Sequence, residues 1–428
     1  MKVCLAVLPV ITAAVAAAQV QQPETILNNF SARTPIEKIY IQPDRDNYLA
    51  GETAWFRAYL YSDYQPDTIS TVLYAELLNE NSVILDRKIL PVFFGAASGQ
   101  FDLPDSLSAG NYVIRTYTTT MLNQDPAMVD KCSLFIFGRK HTAAAPPAEA
   151  ATRIEFFPEG GNLLSGALNT VAFKATDENG LPVNIKGALK NDKGETLTAV
   201  TSYHDGMGMF ELTPAANEKY FVELENNTGG KKYYLPAQVA KGIALSIIPH
   251  PQGSYFELKQ EKNDPNFKAA FMIGQMQHHV VFRQDFNMTK DVVEGVINTK
   301  GLVSGILQIT FFNKDGMPLA ERLCFVDNKE YLQPAELVAD TVNFGDRARN
   351  KFSIVMKDTV QGSLSLSVTD AAYSLHSAVQ DNIISHLLLT ADLRGYVHNP
   401  AWYFSGETDS VKTSLDLVMM TNGWRRFT

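Results

Sequence analysis

Ala54-Trp55-Phe56-Arg57-Ala58-Tyr59-Leu60-Tyr61 alternates with a period of two: Ala54, Phe56, Ala58 and Leu60 oppose Trp55, Arg57, Tyr59 and Tyr61. Eight residues of such alternation predict a β-strand buried on one face. Upstream, Ile39 and Ile41 keep the same period, and Pro43-Asp-Arg-Asp46 supplies a turn between the two runs. Downstream, strands are predicted near 71–78, 83–90, 99–103, 111–119 and 132–137. Short strands at this spacing, with turn signals between them, predict a β-sandwich of about 100 residues. It occupies residues 35–140.

His141-Thr-Ala-Ala-Ala-Pro-Pro-Ala-Glu-Ala-Ala-Thr152 reads as an Ala/Pro linker and marks the clearest boundary. Beyond it a second sandwich is predicted over 153–242, with strands at 154–157, 169–176, 185–190, 195–201, 208–212 and 219–225. The turns between them include Asp177-Glu-Asn-Gly180, Asn191-Asp-Lys-Gly194 and His204-Asp-Gly206, in which glycine supplies a positive φ without steric cost. A third sandwich spans 243–329. Its Phe311-Phe-Asn-Lys-Asp-Gly316-Met-Pro318 echoes Phe173-Lys-Ala-Thr-Asp-Glu-Asn-Gly180-Leu-Pro182, which suggests either a duplicated unit or shared turn grammar.

The fourth unit, 330–428, is expected to hold sandwich strands at 336–342, 352–357 and 363–369, and then two helices. Asp381 is read as an N-cap, Ile383, Ile384, Leu387, Leu388 and Ala391 as one apolar stripe, and Gly395 as the C′ residue. The second helix is expected from Ser414 to Asn422, with Leu415, Val418 and Met419 inward and Gly423 ending it. Both helices are expected to pack on the last sheet. The fold class is mainly β: tandem sandwiches with a small α-helical C-terminal segment.

The chain begins Met1-Lys2, an uncharged apolar run from Val3 to Ala18 follows, and Ala16-Ala17-Ala18 stands before Gln19. A positive start, an apolar stretch and small residues at its end predict a signal peptide over 1–18, cleaved between Ala18 and Gln19. The other reading, a membrane anchor, asks an Ala-rich run to span about 30 Å of hydrocarbon, for which it is too short. Cys4 comes too early to be a lipoprotein cysteine. Residues 19–34 read as a polar leader with a short helix. No later run approaches the length of a membrane-spanning helix, so none is expected after cleavage.

Composition narrows the function. Of the 428 residues, 45% are hydrophobic and 19% charged, which suffices for buried cores and excludes global disorder. There are 46 acidic against 37 basic residues, a net charge of −9, and no basic block, so no nucleic-acid partner is expected. Three cysteines exclude a disulfide-dense scaffold. Cys132 and Cys324 each lie in an apolar strand-like run and are read as free thiols in separate units rather than as a bridge.

Motifs for nucleophilic hydrolysis, zinc proteolysis and phosphate or dinucleotide binding are missing from the sequence. His278-His279 are neighbours, and on a strand they point to opposite faces, which does not suit one metal. His204-Asp205 is read as a capped turn in preference to a metal pair. Glu159-Gly160-Gly161 offers a glycine nest for an anion, but the glutamate repels one, so a turn is preferred. Asp44, Asp46 and Glu52 match no EF-hand spacing and are read as a loop rather than a calcium site. Trp55, Tyr59, Tyr61, Tyr112 and Tyr117 are read as core filling in preference to a sugar- or peptide-stacking surface. The expectation is a chain without enzymatic activity, cofactor or metal.

Tyr48-x-x-Gly51-Glu52-Thr53-x-Trp55-Phe56, preceded by Ile39-Tyr-Ile-Gln-Pro-Asp-Arg45, resembles the opening of a macroglobulin-like (MG) domain of the alpha-2-macroglobulin superfamily. Leu107-Ser-Ala-Gly110-Asn-Tyr112 resembles a later strand of that domain. Phe157-Pro-Glu-Gly-Gly161, His204-Asp-Gly-Met-Gly208, Ser367-Val-Thr-Asp370, the run from Asp381 to Gly395 and Asn422-Gly-Trp-Arg-Arg-Phe427 resemble segments of bacterial envelope proteins that carry the module. The resemblance implies tandem fibronectin/immunoglobulin-like sandwiches of macroglobulin type, in a protein secreted across the inner membrane to the periplasm or outer membrane. Macroglobulins trap proteases through a Cys-Gly-Glu-Gln thioester, and this sequence lacks that tetrapeptide. Longer bacterial relatives continue after Gly-Trp-Arg-Arg-Phe into the plug and barrel of a TonB-dependent outer-membrane receptor. Three readings follow: a non-catalytic binding scaffold with a protein or envelope partner, an endopeptidase inhibitor acting on a protease without a thioester, and the extracytoplasmic part of a TonB-dependent receptor.

Overall fold

In the strand Thr53–Ser62, Ala54, Phe56, Ala58 and Leu60 are all buried while Trp55 faces solvent, as the alternation requires. Its neighbours are Glu37–Pro43, in a register that sets Ile39 opposite Leu60, and Ala96–Asp102. The facing sheet runs in the order Asn47–Leu49, Asp130–Phe137, Gly110–Tyr117, Val72–Leu78, Ile84–Pro91. Ile39, Phe56, Leu60, Leu73, Phe101 and Ile114 fill the space between. The computed structural model describes residues 22–123, 129–138, 151–226, 230–260, 264–356, 362–369 and 379–422. The expected signal peptide, its expected cleavage site between Ala18 and Gln19, and nearly all of the expected linker lie outside these.

Two more sandwiches follow. In the second, Arg153–Pro158, Asn169–Thr176 and Met207–Leu212 face Thr196–Thr201, Lys186–Asn191, Tyr220–Leu224 and Tyr233–Tyr234 over Phe173, Leu189 and Val222. In the third, Ile243–His250, Gly253–Gln260 and Val292–Asn298 face His279–Asp285, Phe271–Met276, Gly305–Phe312 and Pro318–Val326 over Phe256, Leu307 and Phe311. The fold is mainly β, with sandwiches in tandem and a small helical segment at the C-terminal end.

The echoed turns share one device. Asp177 Oδ1 accepts from the N–H groups of Asn179 and Leu181, and Asn313 Oδ1 accepts from those of Asp315 and Met317. Gly180 and Gly316 follow at φ +81° and +76°. Asn79 and Asn191 make the same pair of bonds in two other hairpins. The repeat is therefore Asx-turn chemistry used across all three sandwiches, which serves as hairpin grammar and marks no particular pair of units. Cys132 and Cys324 are both unbridged, the first half-buried and the second buried.

The fourth unit departs from expectation. Ala335–Thr341 and Lys351–Met356 form a two-stranded ribbon, and residues 362–369 carry no strand. Leu337, Phe352 and Ile354 share one exposed face of the ribbon, so no sandwich core closes there among the described residues. The helices do not pack on this ribbon. Helix α2 (Ile383–Leu388) lies on the first sandwich, against the strand Glu37–Pro43, and helix α3 (Asp409–Asn422) lies on the second and third, where Leu417, Val418 and Met419, with Leu389 and Leu393 from between the helices, meet Ala172, Met207, Ile306 and Leu323.

The ends of these helices differ as well. Asn382, not Asp381, is the N-cap of α2, in a capping box with Ser385. Helix α2 ends at Leu388, and a 3₁₀ turn Thr390–Asp392 follows it, so Gly395 lies beyond the helix at φ +92°. Helix α3 starts five residues before Ser414. Its inward face carries Ser414 and Thr421 among the apolar residues, and those hydroxyls break the stripe on which a periodicity reading relies.

The leader holds helix α1 (Pro23–Arg33), which rests on the third sandwich through Leu27, beside Phe271 and Phe312, and through a Glu24–Arg283 ion pair. Among the described residues no helix is long and apolar enough to cross a membrane.

Leu389 is fully buried between the C-terminal segment and the sandwiches. Leu389→Ala is expected to destabilise the protein by about 2–5 kcal/mol, read from the denaturant midpoint. A loss under about 0.5 kcal/mol would place the segment outside the cooperative core.

Candidate functional site

The residues singled out in the sequence find their roles at joints between units. Glu159 follows the strand Arg153–Pro158 at a turn in which Gly160 and Gly161 take φ of +81° and +100°. A Cβ on Gly160 would sit 3.0 Å from that of Leu245 and 3.3 Å from that of Ala320, so glycine lets the second sandwich approach the third this closely. The turn reading holds, yet the carboxylate does more than cap it.

Glu159 Oε1 accepts from the Ile247 N–H at 2.9 Å and from Arg322 Nε at 3.2 Å. Arg322, on the strand Pro318–Val326, turns its Nη2 to both carboxylate oxygens of Asp416 on α3, each at 2.8 Å. Glu159 is 7% exposed and Arg322 4%. Burial works against the guanidinium's charge, but Asp416 and Glu159 outweigh it and hold Arg322 above its ordinary value. One cation thus joins the second sandwich, the third sandwich and α3.

His204 and Asp205 form a hairpin turn, with Asp205 at φ +44° and Gly206 at +72°. The imidazole stacks on Trp402, centroids 4.0 Å apart, and meets Tyr403 edge-on. Lys174, one strand over, donates to the Tyr396 carbonyl at 2.8 Å and to Asn422 Oδ1 at 2.9 Å, and burial pulls its amine below the ordinary value. The His-Asp-Gly motif is therefore a turn that docks the C-terminal segment.

A third joint ties that segment to the first sandwich. His386 Nδ1 lies 3.2 Å from Asp381, and its Nε2 lies 3.6 Å from Asp130. Lys38, only 5% exposed, binds Asp392 at 2.6 Å and the Leu387 carbonyl at 2.8 Å. Burial pushes the Asp130 carboxyl up to about 6. Burial also opposes the His386 charge, but Asp381 and Asp130 raise its pKa overall.

The other candidates separate. Asp44 accepts from Tyr48 OH and the Trp55 N–H, and Glu52 accepts from the Leu49 N–H, so two of the three carboxylates proposed for calcium brace the turn instead. Gly51, at φ +93°, completes that brace, which gives the Tyr-x-x-Gly-Glu motif its structural sense. His278 lies in the turn before its strand, at φ +67°, and not on the strand itself. Its ring meets Phe30, while His279 binds Asp63 at 3.0 Å. Tyr112 OH donates to the Ser108 carbonyl, and Tyr117 stacks on Tyr74. Tyr59 is buried and Tyr61 half-buried, whereas Trp55 is 55% exposed and fills no core. Among the described residues no three His, Cys, Asp or Glu side chains converge to hold a metal ion.

Sequence reading missed Arg322, Asp416, Asp130, His386 and Trp402. For Arg322 a signal existed, since it is a lone cation in the run Leu319-Ala-Glu-Arg-Leu-Cys-Phe325.

Two outcomes test the joints. Arg322→Ala strands two carboxylates and should cost about 3–5 kcal/mol by equilibrium denaturation. The triple variant Glu159→Gln, Arg322→Met, Asp416→Leu should recover most of that loss. For pH, Asp130 and His386 both bind protons more tightly folded than unfolded. Asp130's contribution is full below its ordinary 3.8 and lost as pH passes about 6, and that of His386 is full below 6.5 and lost as pH rises through its higher folded value. Stability should therefore fall between about pH 4 and pH 6 through Asp130, and again as pH rises above 6.5 through His386, by at most about 1.4 kcal/mol per pH unit per group. His386→Gln should flatten that slope in pH-dependent melts.

The sequence matches no protein-family model and no curated protein. Solved structures similar to it include Escherichia coli alpha-2-macroglobulin activated by porcine elastase, at 10% identity over 71% of this chain and 32% of that one, with a TM-score of 0.24. Salmonella alpha-2-macroglobulin reacted with methylamine is similar at 10% identity over 72% of this chain and 24% of that one, TM-score 0.21. The Escherichia coli adhesin FdeC is similar at 13% identity over 68% of this chain and 97% of its own, TM-score 0.16. The chain spans between about a quarter and a third of the length of these macroglobulins.

Proposed function

We propose that this chain is a non-catalytic binding scaffold of macroglobulin-like sandwiches, exported to the bacterial cell envelope. The observation that carries the reading is the C-terminal segment fastened across all three sandwiches by buried charge: Arg322 to Asp416, Lys174 to Asn422, and Lys38 to Asp392. Such fastening fixes the units as one presenting surface, which is what a scaffold requires of its architecture. The MG-type motif around Tyr48, Gly51 and Glu52 and the apolar start up to Ala18 support the macroglobulin-like and exported parts of the reading.

Expression in a Gram-negative host, followed by fractionation and N-terminal sequencing, tests export: the expected product starts at Gln19 in the envelope fraction. An intact Met1 in the cytoplasm would overturn it. Excess mature protein is expected to leave elastase digestion of casein unchanged. Stoichiometric loss of that digestion would transfer the function to protease inhibition, and turnover of a peptide or glycan library would make the chain an enzyme.

A further inference from the structure

One end of the first sandwich gathers three loops: Pro66–Thr71, Pro91–Gly95, and the turn Thr118–Asn123 that contains Met121–Asn123. Strand register puts them together, because Val72 pairs with Pro91 and Tyr74 with Tyr117. The Pro91–Gly95 loop is held by backbone bonds, Val92 N–H to the Thr71 carbonyl and Leu60 N–H to the Gly95 carbonyl, and two buried carboxylates hold the other two loops. Glu37, 1% exposed, accepts from Ser70 Oγ at 2.8 Å and from Thr118 Oγ1, and Asp67, 2% exposed, accepts from the N–H groups of Ile69 and Ser70.

Rigidly mounted at this end are four outward apolar side chains: Ile69 at 52% exposure, Phe93 at 69%, Phe94 at 96% and Leu122 at 63%. Phe94 is unusual twice over. It is nearly as exposed as a side chain can be, and it holds φ +50° at the first central position of a two-residue hairpin, where Asn, Asp or Gly is favoured. Gly95 completes the turn at φ +68°, and a Cβ there would lie 2.8 Å from the Leu60 carbonyl oxygen. The hairpin thus keeps a bulky aromatic in a conformation that disfavours it, at a place where folding gains nothing from it. Strain of this kind collects at functional positions.

The chemistry of the tip selects its occupant. Among their described residues the three loops carry one charged residue, Asp67, and that one is buried. Around the apolar side chains stand the exposed hydroxyls of Thr68, Thr71 and Thr119. Convex aromatic and aliphatic groups raised from separate loops, ringed by hydroxyls and, among the described residues of these loops, free of exposed charge, match a surface that is apolar at depth and hydrogen-bonding at its face. We propose that this end of the first sandwich inserts into a zwitterionic lipid surface.

The full chain, sedimented with dioleoylphosphatidylcholine vesicles, is expected to bind with little dependence on salt, since no charge pairing is involved. Phe94→Asn creates the Asn-Gly pair favoured in this turn, so the melting temperature should stay the same or rise while partitioning falls roughly tenfold or more. Leu122→Ser, on another loop, should also weaken partitioning. Ile248→Asn, which alters a similarly exposed residue on the third sandwich, should leave it unchanged. Wild-type protein that fails to sediment, or variants at Phe94 and Leu122 that sediment equally well, would overturn the lipid assignment and point to a concave protein partner.

Discussion

Arg322 carries its charge at 4% exposure, and the way the second sandwich, the third sandwich and α3 meet follows from satisfying it. Removing an ion from water costs several kcal/mol even after relaxation, and only close, well-aligned partners offset that. Here the partners come from two other elements, Glu159 at the edge of the second sandwich and Asp416 on α3. Neither alone satisfies the guanidinium, because Nε faces one carboxylate and Nη2 the other. A docking that slipped by one residue would leave a buried charge facing carbon. The joint therefore admits one arrangement of sandwich, sandwich and helix.

The apolar surface around this cation is arranged to suit it. Strands in a sandwich normally bury one face, but Gly305–Phe312 is buried on both for most of its length, and Asn169–Thr176 is buried on its outer face at Ala172. Their inner residues form the sandwich cores, and outward residues such as Ala172 and Ile306 receive α3 and its approach. Small residues at contact points, Gly160 and Ala172 among them, let backbones come near without a side chain between. Polar groups follow the same logic: Lys174 emerges at the rim of this surface and satisfies the end of α3 through Asn422.

The molecule divides its labour between joints and ends. At the joints, charges and rings are consumed by one another, with His204 on Trp402, His386 between two aspartates and Lys38 on Asp392. Around Phe94 on the first sandwich, buried carboxylates do the opposite work, holding loops so that apolar groups face outward. The proposed scaffold role asks for both: internal contacts that forbid rearrangement, and an outer surface left available.

The sequence by itself determined whatever depends on neighbours along the chain. Alternation at Ala54–Tyr61 set the strand and its buried face, Asp177 and Asn313 set their hairpins through bonds to the next few N–H groups, and apolar stripes announced two helices. The misplaced boundaries were local as well: Asn382 rather than Asp381 caps α2 because its side chain reaches the N–H groups of Ile384 and Ser385. What tertiary structure decided was where those elements come to rest. Glu159 and Arg322 are 163 residues apart in sequence, and Arg322 and Asp416 are 94 apart. No periodicity encodes such a pairing, since a charge is silent about its partner until folding removes the water around it. For the same reason a ribbon with an apolar face read as a sandwich, and helices assigned to that ribbon lie across the three other units. Hydrophobic pattern states that a face will be covered, and only the assembled surface states by what.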